Sequence, residues 1–566
     1  MSTDHRPSVG GQKTKNRSRK FRAFVSLFAS ASLVFAPLNV SAANAVEVEL
    51  SLVKDIYIGS DDGLQDEDDG EAGAFVGSTY FFPAYDGTNG RELWKSDGTE
   101  AGTVLVKNIR AGSSSSSPSK LMAVGSTLYF SASDGTHGRE LWKSDGTEAG
   151  TVMVKDIRAL SDEDGPLGGN LDDLIAVGST LYFSANDGTN GDELWKSDGT
   201  AAGTVMVKNI RAGSSEDGPY SGDPGNMITV GTTVYFSAND GTNGYELWKS
   251  DGTAGGTVMV KNIRAGSSNG DLEYLTAVGN TLYFSAQDGT HGRELWKSDG
   301  TESGTTIVKD IRIVGDSGPE YLTAVGNTLY FSAYDDLKGR ELWKSDGTEA
   351  GTVMVKDIAP GDCDDPCSSV PLYLTAVGNT LYFSAYDDAN GDELWKSDGT
   401  EAGTVLVKDI WVGPSSSSNP SNLIALGSTL FFSADDGTNR RELWKSDGTG
   451  AGTSMVENIN PNVGAGSTPN FFSASASTLF FRADNGTVGR ELWALRSGAP
   501  SVTTPPTTQP EAPTTAAPAA TAPVTAALAR TGTTSSNYLA LVPLLLAVGG
   551  LFVWLGRGRR IEGEPQ

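Results

Sequence analysis

The sequence predicts an all-β protein, a β-propeller of about nine four-stranded antiparallel blades closed by an N-terminal strand. Three observations carry this expectation. The segment Glu-Leu-Trp-Lys-Ser-Asp-Gly-Thr occurs eight times, and a truncated ninth copy begins at Glu491. Its tryptophans are Trp94, Trp142, Trp195, Trp248, Trp296, Trp343, Trp395, Trp444 and Trp493, spaced 47 to 53 residues apart, and a fixed period near that size marks a repeat architecture. Each unit also breaks into four short runs rich in aromatic and β-branched residues. Finally, the two ends of the repeat region are incomplete in complementary ways.

Residues 320–358 show the unit. Tyr321 to Val325 is a short apolar stretch, and Gly326-Asn327 makes a tight turn. Thr328 to Ala333 alternates with a period of two, and a loop from Asp335 to Gly339 follows. Glu341 to Ser345 forms the third run. Asp346 to Gly351 turns again, and Thr352 to Ile358 is the fourth. Runs bounded by Gly, Asn and Asp read as antiparallel strands, and no helical period of useful length interrupts them. A lone meander cannot bury two apolar faces, so it must stack on copies of itself.

The ends separate a ring from a linear stack. Leu52-Val53-Lys54-Asp55-Ile56 matches only a fourth strand, whereas Asn470 to Leu495 supplies strands one to three. Together they make one blade, as ring closure requires. A linear stack would need polar terminal caps. Nine third strands and nine fourth strands predict nine blades, with eight blades and one displaced unit as the alternative to the usual four to eight. The repeated Trp is expected between blades, where full burial of about 150–250 Å² at about 25 cal/mol/Å² bounds its contribution near 4–6 kcal/mol. The alternative is an exposed ring of tryptophans that stack on sugars.

This pattern resembles bacterial surface proteins built of the ELWxxDGT repeat, over about residues 46–495. The eight full copies fit the signature residue for residue, and Glu491-Leu492-Trp493 lacks its Asp-Gly-Thr. The resemblance describes a sequence pattern and implies no reaction.

The chain ends carry an address. Lys13, Lys15, Arg17, Arg19, Lys20 and Arg22 precede an apolar run from Ala23 to Val40, and Ala43-Asn44-Ala45 fits a signal-peptidase site. Residues 1–45 are therefore read as a signal peptide and 46–498 as the propeller. Residues 499–527, almost entirely Pro, Thr, Ala and Val, cannot bury a core and tend toward extended polyproline II. At roughly 3.1 Å per residue they reach on the order of 90 Å, a wall-spanning linker compatible with O-glycosylation. Leu528-Ala529-Arg530-Thr531-Gly532 precedes an apolar segment, 538–555, and then Arg557, Arg559 and Arg560. Eighteen apolar residues sit at the lower limit for spanning a bilayer, with the arginines cytoplasmic. Residues 528–566 thus resemble a Gram-positive cell-wall sorting signal. Ala529 stands where that family usually has Pro, a form that resembles the variant used by sortases of high-GC actinobacteria. The resemblance implies cleavage between Thr531 and Gly532 and transfer to a peptidoglycan precursor. A plain membrane span is the alternative. Either way the repeats face outward, and the membrane is met only through the C-terminal segment.

The chain carries a formal charge of −27. Residues 1–45 contribute +6 and residues 532–566 contribute +1, which leaves −34 on 46–531. Nucleic acid and anionic lipid need a basic footprint and are excluded as natural partners. The two cysteines, Cys363 and Cys367, are expected to form a local disulfide in an exported protein, and a metal site would need further soft ligands.

In a propeller the second-to-third strand loops and the blade-to-blade crossings share a face. The crossings here vary and are acidic, as at Asp61–Glu71, Ser161–Asp173, Ser214–Asn226 and Asp362–Asp365. That face is the expected binding face, although tolerance of loop insertions would look the same. The recurring Asp-Gly-Thr-x-Gly-x-Glu loops offer about two carboxylates each, too few for calcium's six to eight oxygens. They read as Asx turns, with the acidic run Asp66–Asp69 the better cation candidate. No cofactor is expected. The mature chain has only His137 and His291, which assemble no nucleophilic triad. Near-identical repeats offer no singular site for a tuned acid and base, so no enzymatic activity is expected. The expected role is adhesion to, or recognition of, an extracellular macromolecule or glycan. A structural wall or surface-layer component is the second class, and a propeller hydrolase or lyase the third.

Overall fold

The first-strand apolar run pairs with the alternating run beyond its Gly-Asn, Gly-Ser or Gly-Thr turn because only an antiparallel hairpin satisfies both backbones. In the unit already described, Glu320–Val325, Thr328–Asp335, Gly339–Ser345 and Val353–Lys356 form such a meander, with strands neighbouring in chain order. Val325 pairs with Thr328, Phe331 with Trp343, and Trp343 with Met354. The computed structural model describes residues 48–497 except 66–71, 163–164, 217, 362–366 and 414–415. The signal peptide, linker, sorting motif and apolar segment fall outside the described residues, as do Cys363 and Asp66–Asp69.

Among the described residues there are nine four-stranded sheets and no helix. Numbered along the chain, blade 1 starts at Ala74, blade 2 at Ser119, blade 3 at Asp172, blade 4 at Gly225, blade 5 at Glu273, blade 6 at Glu320, blade 7 at Leu372, blade 8 at Ser421 and blade 9 at Asn470. The fold is a nine-bladed propeller, and the eight-bladed alternative falls away. Blade 9 takes its outer strand from the other end of the chain. Val48–Lys54 pairs antiparallel with Arg490–Ser497, and Leu52 lies opposite Trp493 as Met354 lies opposite Trp343. On its far side blade 9 meets blade 1, where the rings of Tyr80 and Phe480 stack 4.7 Å apart. Neighbouring first strands touch one another around the ring, which places them at its centre.

The core is a series of layers between blades. Val325, Leu342, Val355 and Ile358 of blade 6 pack on Leu374, Leu381, Phe383 and Trp395 of blade 7. All nine repeat tryptophans are 5–9% exposed within such layers, so none is available as a surface for sugars. Lys356 closes the same joint from outside. Its Nζ donates to the carbonyl of Thr404 at 2.9 Å and lies 5.7 Å from the Trp395 ring centre, a cation–π contact. Lys344 reaches the following blade at the Gly399 carbonyl, 2.8 Å away.

Two crossings add small ribbons. Ser161–Asp162 pairs with Gly165–Pro166, and Ser214–Ser215 with Gly218–Pro219. They project from the crossings that precede blades 3 and 4.

Candidate functional site: the crossing face

The face that carries the crossings is organised by the glutamate that opens the third strand, a residue given no role in the sequence pattern. The glutamate of every Glu-Leu-Trp, from Glu92 to Glu491, is 0% exposed. Glu294 is representative. Its Oε2 accepts the Ile311 N–H at 3.0 Å and the Ser317 hydroxyl at 2.6 Å, while Oε1 accepts the Ser317 N–H at 3.1 Å. One side chain therefore fastens both the end of the fourth strand and the crossing to the next blade. In five blades the crossing donor is a serine: Ser116, Ser317, Ser369, Ser418 or Ser467. In three others it is the N–H of Gly63, Gly169 or Gly222, and in the last Gly270 packs on Glu246 while its N–H donates to the Tyr245 carbonyl at 2.9 Å. A Cβ at Gly63 would lie 2.5 Å from the Glu491 carboxylate, which explains the small residue.

Burial raises these carboxyls against the pull of their N–H donors. Glu140, Glu193, Glu246, Glu294, Glu341 and Glu393 are pushed up to about 7, and Glu491 to about 8. The Ser-Asp-Gly-Thr aspartates on the opposite face behave in the opposite way. Asp346 Oδ1 accepts the N–H of Thr348 at 2.8 Å and its hydroxyl at 2.7 Å. These bonds hold its carboxyl below the usual range.

The second-to-third loops are Asx turns. Asp86 Oδ1 accepts the Thr88 and Asn89 N–H groups at 2.9 and 2.8 Å, and Gly87 sits at a φ of 76°. His137 and His291 occupy the place of Asn89, each with Nδ1 2.8 Å from the loop aspartate. Their hydrogen bonds to Asp134 and Asp288 raise both imidazoles. Among the described residues no group of three or more His, Cys, Asp or Glu could hold a metal ion. Cys367 is disulfide-bonded, and the other cysteine, Cys363, is not described.

Two places break the ring's repetition. At the seam of blades 9 and 1, Tyr57 and Tyr85 lie with ring centres 5.3 Å apart. With Ile58, Asp61, Asp86 and Trp94 they line an open groove of about 520 Å³. Ile58 is 89% exposed there. The second place lies on the first strands of blades 5, 6 and 7, where Tyr274, Tyr321 and Tyr373 stand at equivalent positions. Both places are aromatic rather than paired acid and base.

No family model matches the chain, and no curated protein matches it. Solved structures do. A prolyl endopeptidase aligns at 16% identity and a TM-score of 0.34, over 59% of this chain and 48% of its own. A mutant puromycin hydrolase, in complex, aligns at 13% identity and a TM-score of 0.32, over 65% and 58%. Puromycin hydrolase without the mutation gives 14% and 0.31, over 66% and 59%. The chain thus spans about half to three-fifths of the length of these structures. These neighbours bear the names of hydrolases, against the expectation of no enzymatic activity. At this identity and TM-score the likeness transfers no activity and no catalytic residue to the chain.

Proposed function

We propose that this chain is a surface protein of the ELWxxDGT-repeat kind, exported and anchored to the cell wall through Leu528–Gly532, whose propeller recognises an extracellular macromolecule or glycan with its crossing face. The observation that carries this reading is the buried glutamate. Nine crossings of different length and sequence are each fastened to the same rigid carboxylate. Variable loops on an invariant frame suit recognition, because the frame removes the ordering cost that mobile loops carry on binding. The acidic charge of the mature chain favours neutral or basic ligands.

Two measurements test the proposal. Cell fractionation should find the chain in the wall fraction, released by muramidase, and Thr531→Ala should shift it to the membrane or the medium. The full-length chain on glycan and extracellular-matrix arrays should bind saturably, and exchanging crossings 161–173 and 214–226 should abolish the binding. A chain that stays cytoplasmic, or that binds nothing on either array, ends the proposal.

A further inference from the structure

The first strand enters eight of the nine blades, all but blade 1, through a bulge. In blade 6, Glu320 pairs with Ser332 but the next pair is Thr323 with Tyr330, so Tyr321 and Leu322 share one step. The bulge puts the second residue of the strand in left-handed backbone, with φ between 52° and 56° for Lys120, Asp173, Asn226, Tyr274, Tyr321, Tyr373, Asn422 and Phe471. Asn and Asp adopt that region cheaply, whereas bulky residues do so rarely. The chain uses the cheap residues in blades 3, 4 and 8. Three consecutive blades instead carry tyrosine, against local preference.

Those blades share a second feature. Thr276, Thr323 and Thr375 follow the tyrosines by two residues, where the other described blades have Met, Ile, Ala or Ser. The Thr276 hydroxyl lies 3.0 Å from the Tyr274 carbonyl and 3.1 Å from that of Leu322 in the next blade. Thr323 repeats this with Tyr321 and Leu374 at 2.9 and 3.2 Å. The tyrosine backbones are thereby tied to one another around the inner ring. Ring centres stand 5.9 Å apart between Tyr274 and Tyr321, and 6.4 Å between Tyr321 and Tyr373, tilted by 43° and 49°. All three side chains are partly exposed.

The charges beside the rings indicate the ligand class. Arg293 lies 3.4 Å from Glu273, and Arg340 lies 3.6 Å from Glu320. The nearest carboxylates are thus neutralised locally, which disfavours a cation, and the overall acidity disfavours an anion. A curved staircase of aromatic faces flanked by planar polar side chains suits a neutral polymer of repeating rings with apolar faces and hydroxyl edges. We infer that Tyr274, Tyr321 and Tyr373 form a glycan-binding arc on the inner ring of the propeller, which stacks successive pyranose units while Glu273, Glu320, Arg293 and Arg340 bond their hydroxyls. The inference rests on the recognition function proposed above and adds to the crossings 161–173 and 214–226 a ligand-binding arc on blades 5 to 7.

The test uses the purified full-length chain, titrated calorimetrically with chitohexaose, cellohexaose, xylohexaose and mannohexaose. The chain is compared with the triple variant Tyr274→Asn, Tyr321→Asn, Tyr373→Asn, and with the corresponding triple Phe variant. Asn226 and Asn422 already hold this position, so the Asn variant should keep the fold. If its unfolding temperature falls, the single Tyr321→Asn replaces it. At least one hexasaccharide should bind, weaken about tenfold or more with Asn, a change of about 1.4 kcal/mol, and stay within about threefold with Phe. Binding that survives the Asn variant but is lost on exchanging the crossings overturns the arc and leaves the recognition function standing. The same holds if none of the four sugars binds while the arrays give a protein ligand. Silence in both assays removes both.

Discussion

The carboxylate of Glu491 accepts the N–H of Gly63 at 2.9 Å, joining residues 428 positions apart in the chain. Its other oxygen accepts the N–H of Ile56 at 3.1 Å. Eight glutamates make this bond within continuous chain, and the ninth makes it across the ends of the propeller. The same side chain that fastens a crossing elsewhere here fastens the ring.

Removing such a glutamate should be costly wherever it sits. Glu294→Ala would remove the acceptor of the Ile311 N–H and leave both Ser317 donors only the carbonyl of Arg293, at about 1–3 kcal/mol for each group left unsatisfied. Urea unfolding should show a lower midpoint with an unchanged slope. Lys309→Met at the neighbouring joint removes only a cation–π contact with Trp343 and a bond to the Thr352 carbonyl, so its loss should be smaller, about 1 kcal/mol. Equal losses would argue against the glutamate as the frame of the crossings.

A chain beginning at Asp55 should self-associate more than the full-length chain. Without Val48–Lys54 the outer edge of Arg490–Ser497 is bare, and Leu50 and Leu52 no longer cover the layer around Trp493. A bare edge beside apolar surface associates. Light scattering should report a larger particle than for the full-length chain, and a peptide of residues 46–54 added in excess should reverse the increase. An unchanged size without the strand would mean that closure depends on the Tyr80–Phe480 side alone.

The pH dependence follows from the two sets of carboxyls. The buried glutamates have folded-state values near 7, above the ordinary 4.5. The folded chain therefore holds protons that the unfolded chain has lost. That stabilisation is complete below about pH 4.5 and disappears as pH rises through 7. The Ser-Asp-Gly-Thr aspartates, lowered from 3.8, stabilise above that value and lose their contribution as pH falls beneath it. Thermal unfolding should thus show a maximum between about pH 4 and 6 and a decline toward pH 8. A midpoint that rises from pH 5 to 8 would mean that the N–H donors outweigh burial and keep the glutamates ionised.

The blade count and the closing strand could be read in the sequence because they depend on residues that recur in register. Leu52 to Ile56 aligns with Met354 to Ile358 without a gap, and the pairing of Leu52 with Trp493 follows from that alignment. The glutamate's role was missed because a carboxylate beside Asp-Gly-Thr reads as part of a loop. The signal was nonetheless present: the same glutamate opens all nine Glu-Leu-Trp copies, including the truncated one at Glu491. The tyrosine arc was hidden for another reason. Its strings, EYLTAV twice and LYLTAV once, look like ordinary alternating strands, and the bulge that sets their φ depends on contacts between blades.

A further correspondence links the second-to-third loops to the ends of the fourth strands, always nineteen residues apart. Asn108 Nδ2 donates to Asn89 Oδ1 at 2.8 Å, and Asn209 and Asn262 do the same to Asn190 and Asn243. Where the loop residue is cationic the partner is acidic, as Lys338 Nζ lies 2.7 Å from Asp357 Oδ2. The pairs are interchangeable solutions to one packing position, one neutral and one charged. Lys338→Asn alone should destabilise blade 6, because Asp357 loses its cation in an acidic surface. Asp357→Asn alone should do likewise. The double variant Lys338→Asn, Asp357→Asn recreates the pair seen in blades 1, 3, 4 and 8 and should recover the wild-type midpoint. A thermal double-mutant cycle measures the coupling, and high salt should shrink it for the Lys–Asp pair but not for the Asn–Asn pair. Additive losses in the cycle would show that the two positions, although adjacent, act independently.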